Sequence, residues 1–181
     1  FLQRFFGYAL TGRTTEHVLL NCYGTGSNGK STLLKAFMSL LGDYAYQAPA
    51  DLLMVKNGDA HPTDQAGLFK KRLVVCMETP AGRVMDEARM KALTGGDLVT
   101  ARRMREDFWT FEPTHKLVIG TNHKPSIRTT DHGTWRRQKL VPFTVQIPSD
   151  KQDKSLPEKL NAEASGLLRW AVEGCLAWRR D

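Results

Sequence analysis

The stretch Gly24-Thr25-Gly26-Ser27-Asn28-Gly29-Lys30-Ser31 constrains this chain more than any other feature. It fits the pattern GxxxxGK[ST], and its flanks have the form that pattern requires. Before it, His17–Tyr23 (HVLLNCY) is a short apolar run that reads as a buried strand. After it, Lys30–Leu41 carries Leu33, Leu34, Phe37, Leu40 and Leu41 at helical spacing, and Gly42 closes it. Glycines in such a loop let successive backbone N–H groups converge on phosphate oxygens. The helix behind it adds the positive end of its dipole. Lys30 is then expected to reach the β- and γ-phosphates of a nucleotide, and Ser31 to ligate Mg²⁺. With Thr32 they make Gly24–Thr32 the candidate nucleotide-binding segment. The plainer alternative is a glycine-rich turn that only caps a helix.

Composition narrows the rest. At 181 residues, the chain fits one domain, or one domain with a helical appendage. Apolar residues make up 41% and charged ones 25%, with 15 Gly and 8 Pro, which excludes collagen-like and wholly disordered chains. No apolar run approaches the ~18 residues of a membrane span. The 26 basic residues exceed the 19 acidic ones for a net charge of +7, which favours a polyanionic partner. Cys22, Cys76 and Cys175 are far apart and lack zinc spacing. Cys22 and Cys76 lie inside apolar runs, as small core residues do, and fit a reducing cytosol better than a disulfide scaffold. His61, His115, His123 and His132 do not cluster at metal spacing. The opening FLQRFFGYAL has no Met and no signal-peptide pattern, and reads as the start of an excised domain.

Further along, residues 1–10 have helical apolar spacing. Lys71–Met77 (KRLVVCM), Lys116–Thr121 (KLVIGT) and Lys139–Phe143 read as buried strands, and Asp86–Leu93 as a short helix ending at Gly95-Gly96. Leu98–Arg105 and Phe108–Phe111 form a hairpin candidate around a polar tip at Glu106-Asp107. Pro148–Pro157 is polar and reads as a linker. Leu160–Arg180 reads as one amphipathic helix with Leu167, Leu168, Val172, Leu176 and Ala177 on its apolar side. Apolar strands alternating with helices predict an α/β fold whose parallel sheet is covered on both faces, with the hairpin as an insertion.

A phosphate loop needs a carboxylate at a neighbouring strand end. Glu78, directly after LVVCM, supplies one, and strand C-termini are where open α/β sheets place ligands. Asn122 closes KLVIGTN, where an amide can orient a water; taken alone it is a turn residue. Arg136 and Arg137 in TWRRQKLVPF are surface arginines by composition. In phosphoryl transfer, an arginine reaching a neighbour's γ-phosphate stabilises the transition state.

Taken in order, these segments resemble a superfamily 3 helicase domain of the phage and plasmid primase–helicase kind, related to the poxvirus primase–helicase. The resemblance runs from FGYALTG (Phe6–Gly12) through GTGSNGKST (Gly24–Thr32), Glu78, DEARMKALTGGDLVTAR (Asp86–Arg102) and FxFxPTxKL to TNHKP (Thr121–Pro125) and WRRQKLVPF (Trp135–Phe143). It implies an AAA+-like P-loop NTPase with a parallel central sheet, helices on both faces and an inserted β-hairpin. Residues 1–16 would end a preceding helical or collar segment. Residues 17–147 would form the ATPase core, and 148–181 a linker and C-terminal helix. Subunits would form a homo-oligomeric ring, usually of six, with ATP and Mg²⁺ between neighbours, an upstream primase module and single-stranded DNA as partner. No membrane is involved, and the setting is the cytoplasm of a bacterial host cell, with the gene on a phage or plasmid. Lys30 and Ser31 would serve phosphate and metal. Glu78 would be the Walker B acid and a Mg²⁺ residue, Asn122 the sensor 1 residue, and Arg136 or Arg137 the finger acting on a neighbour. Lys91–Asp97 would be the motif peculiar to the superfamily. Lys91 and the hairpin residues Arg102, Arg103 and Arg105 would contact DNA. Strand alternation sets Arg102 opposite Arg103 and Arg105, and so toward an acid within the domain.

Such proteins often carry two adjacent Walker B acids; here Glu78 stands between Met77 and Thr79. It is left to hold Mg²⁺ through water, to polarise the attacking water, or to do both. Two other classes stay open. One is a small monomeric kinase, which the KALTGGD, TNHKP and WRR blocks disfavour. The other is an ATP-binding DNA-initiator or assembly module without processive helicase activity.

Overall fold

The computed structural model describes residues 1–56, 63–78, 82–124, 126–128 and 131–180. His61, Thr79 and the Pro125 of TNHKP lie outside the described residues.

Five parallel strands form the central sheet: β1 (Leu19–Tyr23), β2 (Ala45–Ala48), β3 (Leu73–Met77), β6 (Lys116–Thr121) and β7 (Gln138–Pro142), in the order β2-β3-β6-β1-β7. β4 (Val99–Ala101) and β5 (Trp109–Phe111) pair antiparallel as a separate hairpin. The helices are α1 (Leu2–Leu10), α2 (Lys30–Leu41), α3 (Thr63–Ala66), α4 (Glu87–Gly95), α5 (His132–Arg137), α6 (Leu156–Ala162) and α7 (Ala164–Arg180).

The inner strands are buried on both faces, which is why they read as largely apolar runs, with Asn21 buried in the middle of β1. Leu73 and Val75 of β3, Leu20 and Cys22 of β1 and Val118 of β6 join Phe5, Phe6, Leu34, Phe37 and Ala171 on one face. Val74 and Cys76, with Leu19, Leu117 and Ile119, meet Leu52, Leu53, Leu68, Met90, Val99 and Phe111 on the other. Phe6 stacks on Phe37 with ring centroids 3.7 Å apart, docking α1 onto α2. Burial pushes the Cys22 and Cys76 thiols up to about 12; Cys175 is partly exposed.

The C-terminal segment departs from expectation. It breaks at Glu163, and Leu168, Val172 and Leu176 are exposed. α7 instead buries Ala171 and Gly174. A Cβ at Gly174 would fall on the Gln3 carbonyl oxygen, and one at Gly7 on the Cys175 backbone nitrogen, so α1 and α7 pack backbone to backbone. The predicted linker contains a short 3-10 turn and the start of α6. β2 and α5, absent from the sequence reading, complete the sheet edge and the entry to β7. Among the described residues, no helix is long and apolar enough to cross a membrane.

Candidate active site

Three neighbouring strands end together. Tyr23 pairs with Thr121, and Met77 with Gly120. Gly24 therefore emerges beside Asn122, and Glu78 emerges one strand over, about 5 Å away. The loop from Gly24 to Gly29 passes through positive φ at Gly26 (100°), Ser27 (48°) and Gly29 (79°). A Cβ at Gly26 or Gly29 would meet nothing within 4 Å. Glycine is thus required at these two positions by the backbone turn and not by crowding. α2 starts at Lys30, its first N–H groups facing the loop.

The loop is braced from behind. The Asn28 side-chain amide donates to the Phe143 carbonyl (2.8 Å), and the Ile147 N–H donates to the Ser27 carbonyl (2.7 Å). Nothing in the motif pattern pointed to this brace after β7.

Lys30 is buried. Its ammonium donates to the Gly24 carbonyl (2.9 Å), the Thr121 carbonyl (2.8 Å) and Asn122 Oδ1 (3.3 Å). Burial pulls its pKa below the usual lysine range. The structure thus joins the two motif residues Lys30 and Asn122 directly. Ser31 and Glu78 are exposed. Glu78 has φ of 58°, and its N–H is held by the Gly120 carbonyl at 2.9 Å. A left-handed non-glycine backbone costs on the order of 1 kcal/mol and persists where the surroundings impose it.

The arginine pair sits elsewhere. Gln138, directly after α5, pairs with Leu19 at the amino end of β1. The loop lies at the other end, about five residues or 16 Å along the sheet. Arg136 and Arg137 therefore stand at the opposite end of the strands from Lys30 and differ from one another. Arg137 is buried and donates to the Gly133 carbonyl at 2.8 Å, whereas Arg136 is exposed.

The hairpin strands are shorter than expected, so Arg102, Arg103 and Arg105 lie in the loop beyond β4, and strand alternation does not sort them. Arg102 lies over the Phe108 ring at 5.0 Å; among the described residues no acid pairs with it. Arg103 lies over Trp109 at 5.2 Å and within 3.6 Å of Glu106. Arg105 has φ of 63° and is exposed, as are Met104 and Phe108. Lys91, expected with these arginines, is paired with Asp131 at 2.7 Å.

Sequence reasoning passed over Lys116. Its ammonium lies 4.4 Å from the Tyr8 ring and donates to the Thr11 carbonyl, tying α1 to β6. Burial, then the nearby Arg72, push its pKa down to about 7. Burial, then Lys116, bring His115 down to about 4. A lysine opening a strand reads as a polar boundary, so no signal marked it.

A parallel α/β sheet with a glycine-rich strand-to-helix loop, a buried lysine and a strand-end carboxylate defines the class. The chain belongs to the family described as "Family of unknown function (DUF5906)", whose profile matches residues 22–137. It is similar to "Putative helicase L207/L206" of Acanthamoeba polyphaga mimivirus, 33% identical over 74% of this chain and 14% of that protein. It is also similar to "Putative primase C962R" of African swine fever virus, 33% identical over 67% of this chain and 13% of that protein. The chain thus spans about a seventh of the length of these curated relatives. Among solved structures, the C-terminal region of NrS-1 shares the fold, with a TM-score of 0.75 and 13% identity, covering 94% of this chain and 40% of that one. The resemblance to the primase–helicase family read from the sequence stands.

Proposed function

We propose that the chain is the ATP-driven motor of a superfamily 3 DNA helicase: an AAA+-like P-loop NTPase that moves on single-stranded DNA as a ring during replication of a virus, phage or plasmid. One observation carries this reading. Lys30, Asn122 and Glu78 gather at the carboxyl ends of the strands, while the exposed Arg136 stands at their amino ends.

ATP would lie with its β- and γ-phosphates against the N–H groups of Gly26–Ser31 and the start of α2. Lys30 would trade a carbonyl partner for phosphate oxygen. The Ser31 hydroxyl and the Glu78 carboxylate are hard oxygen donors of the kind Mg²⁺ prefers, and both are exposed at these strand ends. Magnesium, when bound, neutralises charge building on the phosphates. Asn122 and Glu78 orient the attacking water, and Glu78 accepts its proton. No arginine of the same chain reaches that phosphate from α5, so Arg136 of a neighbouring copy would supply the stabilising charge. This supports a ring with composite sites. Arg137, bound into its own subunit, is the less suited of the pair. The exposed Arg103, Arg105 and Phe108 of the hairpin suit a phosphate backbone and a stacked base.

The test is steady-state ATP turnover by the full-length protein, with and without single-stranded DNA at modest salt, since higher salt weakens phosphate contacts. Turnover that DNA stimulates and Lys30→Ala abolishes is expected. ATP binding without turnover in the assembled protein would overturn the motor in favour of an assembly module.

A further inference from the structure

Two contacts tie α4, which leads into the hairpin, to α5, which carries Arg136. Lys91 Nζ lies 2.7 Å from Asp131 Oδ2, and the same oxygen accepts the Thr134 N–H at 2.8 Å. Asp131 therefore caps α5 and receives Lys91 with one carboxylate. Lys91 and the cap hold that carboxyl well below the usual range. On the other side, Arg137 bonds the Gly133 carbonyl, and its Nη2 lies 3.8 Å from where a Cβ on Gly95 would stand. Gly95 ends α4, three residues before the hairpin's Leu98. A shift of the hairpin root thus reaches α5 through an ion pair and a packed guanidinium.

The floor under α5 is also poorly satisfied. Thr134 Oγ1, Arg137 Nε and, on β1, Asn21 Oδ1 are buried without hydrogen-bond partners among the described residues. The Asn21 amide donates to Gln138, the residue that follows α5. Orphaned buried polar atoms cost free energy and mark places where strain is stored. Two of them on one short helix, with a third on the strand paired with the residue that follows it, leave this seat incompletely bonded.

We propose that Lys91 and Asp131 are positioning residues that transmit hairpin movement to Arg136, so that DNA on one subunit sets the arginine offered to the next subunit's ATP. The inference rests on the motor reading above and adds its coupling element.

Asp131→Asn is the decisive variant, because asparagine caps a helix as well as aspartate does but loses the charge that holds Lys91. In full-length protein, three quantities are read: ATP turnover without DNA, its stimulation by oligo-dT, and oligo-dT affinity by fluorescence anisotropy. Stimulation is expected to fall about fivefold, with affinity, unstimulated turnover and melting temperature near wild type. Lys91→Arg, which keeps the pair, is expected to keep the stimulation. Undiminished stimulation in Asp131→Asn overturns the coupling and leaves the motor standing. A matched loss of oligo-dT affinity overturns it too, and makes this surface a direct DNA contact. A wild-type protein that DNA does not stimulate removes the motor reading and the coupling together.

Discussion

The glycine loop and the hairpin both present positive charge, in opposite ways. Lys30 is buried and fixed by three oxygens within 3.3 Å. The hairpin arginines rest on aromatic faces at 5.0 and 5.2 Å, with Met104 and Phe108 open to solvent. The first charge has been desolvated in advance and suits one ligand group in one place. The second set is more open to solvent, Arg103 and Arg105 most of all, and suits a polymer that slides. Preorganisation separates a reaction site from a gripping surface.

The largest break should come at Lys30. Lys30→Ala is expected to lower ATP turnover about a hundredfold or more, and nucleotide binding measured by calorimetry should weaken with it. A variant retaining a tenth of wild-type turnover would deny Lys30 its assigned part. Next, two phenylalanines divide the hairpin. Phe111 is buried against Phe69, with ring centroids 5.2 Å apart. Phe111→Ala should cost about 3 kcal/mol in urea unfolding. Phe108 is exposed, and Phe108→Ala should leave stability within about 0.5 kcal/mol while weakening oligo-dT binding about tenfold. Equal effects on both would erase the division between packing and gripping.

A smaller effect concerns pH at the far edge of the sheet. His115 holds its proton only below about pH 4 when folded, against 6.5 as the ordinary value. Between those values the unfolded chain binds the extra proton, so stability should climb with pH. Lys116 repeats this from about 7 towards 10.5. Thermal melts across these windows should rise, and Lys116→Met should flatten the upper one and narrow the lower, since the Lys116 charge is part of what holds His115 down. A wild-type curve as flat as the variant's above pH 7 would contradict the burial of that charge. The slightest effect should be that of salt on the hairpin: Arg105→Ala should reduce the salt slope of oligo-dT binding by about one.

The sequence was most informative where one physical cause acts over consecutive residues. β3 and β6 are buried on both faces, so their middles read as apolar runs, LVVCM and LVI, and the loop chemistry is contiguous from Gly24 to Ser31. It was least informative where the cause lies across the fold. β2 is a four-residue edge strand, AYQA, too short and mixed to show a period. α5 has one local signal, the capping Asp131, ahead of six residues with little apolar content. The buried face of α7 is set by Gly174 and Ala171, which the approach of α1 covers, while Leu167 packs against the core and Leu168, Val172 and Leu176 face solvent. Spacing could not separate Arg136 from Arg137, since only the helix's seat turns one inward. Lys91 sits in a motif block, and its partner is forty residues away.

The cysteines give the chain a ready spectroscopic handle. Two thiols are sealed in the core on either side of the sheet, and burial keeps them protonated through neutral pH. Cys175, partly exposed on the last helix, is the thiol a maleimide dye would reach first. A fluorophore on this chain could then be placed without engineering, and energy transfer between labelled copies would report whether copies of it come together.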